Sequence, residues 1–181
     1  MKEKTFIIGL EAGDVGTNQI VDYFNKKPGY LFNTSKKMMK YKGKEFIPPW
    51  IFDKKIGNKL YDDLMNKQYG KFIGVFGGSY LNYIEYFITR IKKLRVIIIQ
   101  DSKQNFINQY SDSNEIIYPN FGRTFNSSEA KLEFYYNIYK DATQALYRYY
   151  SHKTLFVRND KINKDEIQNF IEKGFVCQKK I

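Results

Sequence analysis

Five short apolar runs punctuate this chain, and between them apolar residues recur every three or four positions. The runs are FIIGL at 6–10, YLF at 30–32, KFIGVF at 71–76, RVIII at 95–99 and TLFV at 154–157. Each is short, rich in Ile, Val and Phe, and bounded by Gly or polar residues, which predicts strands. Unbroken rather than alternating runs fit parallel strands covered on both faces. The intervening spacing predicts helices. One spans 16–26 and is stopped by Pro28 and Gly29; one spans 56–67, with Leu60 and Leu64 a turn apart and Gly70 at its end. A third follows Ser79, a candidate cap, with Tyr80, Ile84, Phe87, Ile88 and Ile91 inward. A fourth covers 103–110. Asn126 and Glu129 open a long fifth helix whose stripe reads Tyr135, Ile138, Ala142, Ala145 and Tyr149. Asn163 and Glu166 open the last, with Ile167, Phe170 and Ile171 inside and Gly174 closing it. The basic stretch 36–44 reads as an exposed loop or partial helix, and 111–125 as a polar loop.

Strands alternating with helices predict an α/β fold of three layers around a central parallel sheet. Ligands of such sheets lie beyond the carboxyl ends of the strands. That rule gathers 11–17, 77–79 and 100–108 into one candidate site.

The first of these segments carries the most chemistry. Gly9, Gly13 and Gly16 fall between a strand and a helix. Glycines allow backbone amides to converge on one anion, and the helix N-terminus adds partial positive charge. Gly13, Val15, Gly16, Thr17 and Asn18 are therefore the candidate phosphate-binding residues, Thr17 foremost because its hydroxyl and amide both point at an anion. The Lys of a standard P-loop is absent, and Glu11 and Asp14 stand in the turn instead. An ordinary strand–turn–helix junction would read the same way.

Composition narrows the partners. The 181 residues are expected to form a single domain, 1–181, large enough for a core. Thirty basic and nineteen acidic residues leave a formal charge of +11, which suits an anionic partner or simply a solvated basic surface. Cys177 is the only cysteine and His152 the only histidine, so neither an internal disulfide nor a Cys or multi-His metal site can be built, and no metal is expected. No apolar run has the length of a membrane span. A cytoplasmic location is the expectation.

Taken together and in order, these segments resemble the sulfotransferase superfamily, whose P-loop-like fold binds the sulfonate donor PAPS. FIIGL…GTNQIVDYF resembles the family's 5′-phosphosulfate loop. KFIGVFGGSYLNYIEYFI resembles the corresponding segment of small sulfotransferases of marine phages and microbes. RVIIIQDSKQNFINQY is similar to the strand and helix that hold the donor's 3′-phosphate, and YPNFGRTFNSSEAKLEFYYNIYKDATQAL and TLFVRNDKINKDEIQNFIEKGF to their later helices and last strand. The resemblance covers nearly the whole chain. It implies a sulfotransferase moving a sulfonate from PAPS to a hydroxyl of a carbohydrate or small metabolite. Gln100 and Asn108 fall where the family places an Arg and a Ser on the 3′-phosphate. Residues 11–15 are two more than the family carries there, and its loop cation is missing. Neutral hydrogen bonds are worth about 1 kcal/mol net against roughly 1.5–3 for ionic ones. PAPS or PAP therefore needs compensating cations, of which Arg123 and Lys103 are nearest.

Transfer also requires a base for the acceptor. Asp53 and Glu85 are the candidate catalytic residues, and either is equally a solvated surface carboxylate. The rival expectation is a catalytically inactive sulfotransferase-like protein that binds a nucleotide or a protein partner. A nucleotide kinase lacks its loop Lys here. A nucleic-acid module is not expected, because no aromatic–basic RNA motif appears.

Overall fold

The computed structural model describes residues 4–11, 15–34, 39–41, 44–46, 54–66, 69–111 and 123–174. In chain order the elements are β1 (Thr5–Glu11), α1 (Val15–Asn25), β2 (Tyr30–Thr34), β3 (Met39–Tyr41), β4 (Lys44–Phe46), α2 (Lys54–Met65), β5 (Phe72–Phe76), a 3₁₀ turn (Gly78–Tyr83), α3 (Ile84–Arg90), β6 (Leu94–Gln100), α4 (Lys103–Ser111), α5 (Ser128–Tyr149), β7 (Thr154–Arg158) and α6 (Lys164–Lys173).

The five expected strands form one sheet in the order β2-β5-β1-β6-β7, and every neighbouring pair is parallel. The α/β expectation of three layers around a parallel sheet is met. β1 lies in the middle, buried at all seven positions. Alternate residues serve opposite faces, as a strand's period of two requires. Ile7, Phe72, Ile97 and Leu155 pack with Ile20 and Phe24 of α1 and Ile167 and Phe170 of α6. Phe6, Ile8, Ile73 and Val96 pack with Leu64 of α2, Phe87 of α3 and Leu146 of α5. The chain leaves β1 toward β2, whereas β6 leads on toward β7 on the other side. The carboxyl ends of β1 and β6 thus flank the point where the winding changes direction, the usual place for a ligand crevice.

Four local readings differ from expectation. Part of 36–44 joins an antiparallel pair, Met39–Tyr41 with Lys44–Phe46. After β5 the chain makes a 3₁₀ turn over Gly78–Tyr83 before α3 begins at Ile84, with no side-chain cap at either start. The helix at 128 is capped by Ser127, whose hydroxyl accepts from the Ala130 amide at 3.1 Å, so Asn126 stands outside it. The buried face of α5 is Leu132, Tyr135, Tyr136, Thr143 and Leu146, and Tyr149 is 80% exposed. Thr143 was invisible to an apolar pattern. Its hydroxyl donates to the Tyr139 and Lys140 carbonyls, so it enters the core with its polarity satisfied.

Candidate functional site at the strand carboxyl ends

β1 ends on Glu11, a carboxylate only 5% exposed, and α1 opens four residues later. A charge so buried needs partners. Glu11 takes them from the helix start. Its Oε1 accepts from the Gly16 amide at 2.7 Å, and its Oε2 accepts from the Thr17 amide at 3.2 Å. The Thr17 hydroxyl donates to Oε2 as well. Thr17 is buried, at 3% exposed. The two amides and one hydroxyl that the sequence assigns to an incoming phosphate thus converge on an anion, and that anion is the chain's own side chain.

Gly16 is needed for close approach. A Cβ there would stand 2.6 Å from Asn159 Oδ1 and 3.0 Å from Ile99 Cγ2. Asn159, from the turn after β7, donates to Asp101 Oδ2 at 3.1 Å. Asp101 Oδ1 accepts from the Ser102 amide and from Asn105 Nδ2, and its carbonyl accepts from the Tyr136 hydroxyl. The ends of β6 and β7 are therefore joined by one carboxylate and one amide, and that amide packs against Gly16 after β1. Beside this junction lies a cleft of about 450 Å³ lined by Gln100, Asp101, Ser102, Asn105, Tyr136 and the Arg158–Asp160 pair. Arg158 Nη2 meets Asp160 Oδ2 at 2.7 Å, and that contact holds the Asp160 carboxyl below its usual range. Two buried side-chain atoms have no hydrogen-bond partner among the described residues, Arg95 Nε of β6 and the Tyr139 hydroxyl of α5, and the second concerns the site. Burial first, and the Glu11 charge second, push its titration well upward.

The sequence-derived residues separate into groups. Gly16 and Thr17 sit at the start of α1 holding Glu11, the backbone of Val15 begins that helix, and Asn18 is exposed one position on. Gln100 lines the cleft. Asn108 is exposed on α4 and accepts from Gln104 of its own helix at 2.9 Å. Arg123 lies with its guanidinium 4.8 Å from the centre of the Phe134 ring, and Lys103 pairs with Glu133 at 2.7 Å. Neither cation lines the cleft. Glu85, exposed in the first turn of α3, borders a different cavity of about 400 Å³ between the 3₁₀ turn and α5, with Leu81, Ala142 and Leu146. Gly13, Asp14 and Asp53 lie outside the described residues. Among the described residues no group of three His, Cys, Asp or Glu is arranged to hold a metal, and no helix is long and apolar enough to cross a membrane.

Sequence reading missed Asn159, Arg158 and Asp160. The signal was available: RND directly follows the last strand, and the rule that sites gather at strand carboxyl ends applies to β7 as much as to β1.

No family model matches the chain, and no curated protein matches it. A similar solved structure is the solution NMR structure of a de novo designed protein of P-loop NTPase fold, 12% identical, with a TM-score of 0.36, covering 79% of this chain and 95% of that one.

Proposed function

We propose that the chain is a catalytically inactive, sulfotransferase-like domain with a P-loop-like first turn, which serves as a binding domain rather than transferring sulfonate from PAPS. The observation that carries this reading is the Glu11 carboxylate on the Gly16 and Thr17 amides. A donor phosphate needs those same groups. If Glu11 stayed in place, two unit charges about 4 Å apart would repel by roughly 4 kcal/mol at an effective dielectric of 20. If Glu11 left, its charge-assisted bonds, about 1.5–3 kcal/mol each, would be lost first. Three described cations that could offset either cost are engaged elsewhere: Lys103 with Glu133, Arg158 with Asp160, Arg123 over Phe134. The described residues of this turn, Glu11, Gly16 and Thr17, as arranged do not fit a phosphosulfate group.

A site that stays open to a ligand among the described residues is the polar cleft beside Gln100 and Asp101. Its amides, hydroxyls and one ion pair suit a neutral, hydroxyl-rich molecule or the nucleoside part of a nucleotide better than a polyphosphate.

The test is a pair of measurements on the intact chain. Sulfonate transfer from PAPS to a panel of carbohydrate and small-molecule hydroxyls is expected to be absent. Melting with millimolar PAP is expected to be unshifted, since only a ligand that binds the native state raises the melting temperature. Turnover that disappears in Thr17→Ala would overturn the proposal and restore the active PAPS-dependent transferase, with Asp53 or Glu85 as the base.

A further inference from the structure

The end of the sheet opposite the cleft has its own chemistry. Every strand of the parallel sheet is preceded by lysine. Lys4 stands directly before β1, Lys71 before β5, Lys93 before β6 and Lys153 before β7, and Lys27 lies three residues before β2. The hydrogen bonds fix them as neighbours: the Thr5 amide donates to the Lys71 carbonyl, and the Phe6 amide to the Lys93 carbonyl, each at 2.9 Å. In sheet order the row is Lys27, Lys71, Lys4, Lys93, Lys153. Adjacent strands are about 4.8 Å apart, so the row extends roughly 19 Å across the molecule.

Helix ends do not explain the row. Lys27 and Lys93 follow α1 and α3, where a cation offsets the helix dipole. Lys4 precedes any helix, and Lys71 is six residues past α2. Carboxylates near this end, among the described residues, are Asp22 on the last turn of α1, Glu172, Asp62 and Asp63. Glu172 is held by the Tyr30 hydroxyl at 2.7 Å and by Gln168, and it feels the fields of Lys71 and Lys27. Asp62 and Asp63 are exposed on the last turn of α2. Lys153 spends part of its charge on the Ile88 carbonyl at 3.5 Å. Lys27 donates to Gln168 and lies over the Tyr23 ring, and Lys71 lies over Phe72, contacts with neutral groups that leave their charge in place. By count, the five lysines with Lys92 and Lys173 outnumber these four carboxylates.

Aromatic rings accompany the charge. Tyr69 and Tyr149 are the most exposed large apolar residues among those described, each at 80%. Tyr69 is two residues before Lys71, and Tyr149 is four before Lys153. Both lie in segments that lead into strand starts, one on the β5 side and one on the β7 side, and Tyr149 also borders the cavity beside Glu85. Bare rings beside a cationic track are what a flexible polyanion with flat bases uses, since bases stack on the rings while phosphates follow the lysines.

We propose that the strand-start end of the sheet is a docking face for single-stranded nucleic acid, held by the lysine row and by stacking on Tyr69 and Tyr149. The face is separate from the Glu11 turn and stands whether or not the chain transfers sulfonate.

The probe is a fluorescein-labelled oligo(dT), with binding followed by anisotropy across a salt titration. Up to five phosphate contacts predict a slope of log K against log salt of about −3 to −4. Lys71→Glu with Lys93→Glu should flatten that slope by about 1.4 and weaken binding at low salt. Lys103→Glu with Lys161→Glu changes the net charge equally, at the opposite end of the sheet, and should leave binding within about twofold, as exposed charges beyond a Debye length are screened. Tyr69→Ala with Tyr149→Ala should weaken binding about tenfold or more and leave the slope unchanged. All variants alter exposed positions, and circular dichroism checks that each is folded. Equal losses in the two lysine pairs would overturn the proposal, as would unchanged binding in the tyrosine pair. Tighter binding to heparin or to phosphatidylserine vesicles than to the oligonucleotide would also overturn it, and assign the face to another polyanion.

Discussion

Asn159 Oδ1 stands 2.6 Å from the point where a Cβ on Gly16 would lie. The turn after the last strand thus rests on the first residue pair of α1, and through Asp101 it also grips the end of β6. Two strand ends and the start of α1 meet at one residue. Gly16→Ala should destabilise the fold by about 1–3 kcal/mol through overpacking. Much of that cost should be returned in Gly16→Ala/Asn159→Ala, where the added methyl meets no amide. A double-mutant cycle from urea unfolding measures the coupling, expected to be about 1 kcal/mol or more. Strict additivity would show that Asn159 does not press on the turn.

Glu11 sets the second expectation. Glu11→Ala leaves the Gly16 and Thr17 amides without their acceptor and should cost about 2–4 kcal/mol in urea unfolding. Glu11→Gln keeps one acceptor oxygen and should cost less. Inorganic phosphate should raise the melting temperature of Glu11→Ala more than that of the unaltered chain, because in the former the amides are open to an external anion. Equal shifts in both would show that phosphate acts elsewhere.

Alkaline pH provides the third. Burial raises the titration of Tyr135 to about 12 and that of Tyr139 well above its usual value, and burial with the Glu172 hydrogen bond raises Tyr30 too. In the unfolded chain each ionises near pH 10. A raised folded value means the native state keeps protons that the unfolded state gives up. The contribution is complete below pH 10 and is lost as pH rises toward 12 and beyond. Stability should therefore fall steeply above pH 10. Spectrophotometric titration should show at least three phenols ionising only as the fold is lost. Ionisation of all sixteen tyrosines near pH 10 with circular dichroism unchanged would contradict this.

The start of α6 gives a sharper local test. Asn163 Oδ1 accepts from the Asp165 and Glu166 amides at 3.1 and 3.2 Å. Asn163→Ala should cost about 1 kcal/mol, and Asn163→Asp or Ser should restore most of it. Chemical denaturation of the three variants decides it.

Much of the fold was legible because the signals were local. Unbroken Val and Ile runs marked the buried strands, and Pro28, Gly29 and Gly174 marked helix ends. The phase of α5 was not legible, since it depends on Thr143 satisfying itself against its own helix, a condition no apolar pattern encodes. The site was half legible. Gly16 and Thr17 were singled out by spacing alone, and they do bind an anion. That the anion is Glu11 could not be read from a sequence in which the same residue also fits a repelling neighbour of phosphate. Asn159 was hidden for another reason: its importance comes from contacts with residues 58 and 143 positions away, Asp101 and Gly16.

A domain that carries its own counter-ion at the mouth of its first helix satisfies the Gly16 and Thr17 amides without an external anion. Here the last residue of β1 supplies that charge with every copy made, so the first turn of the helix is closed by the chain's own covalent order.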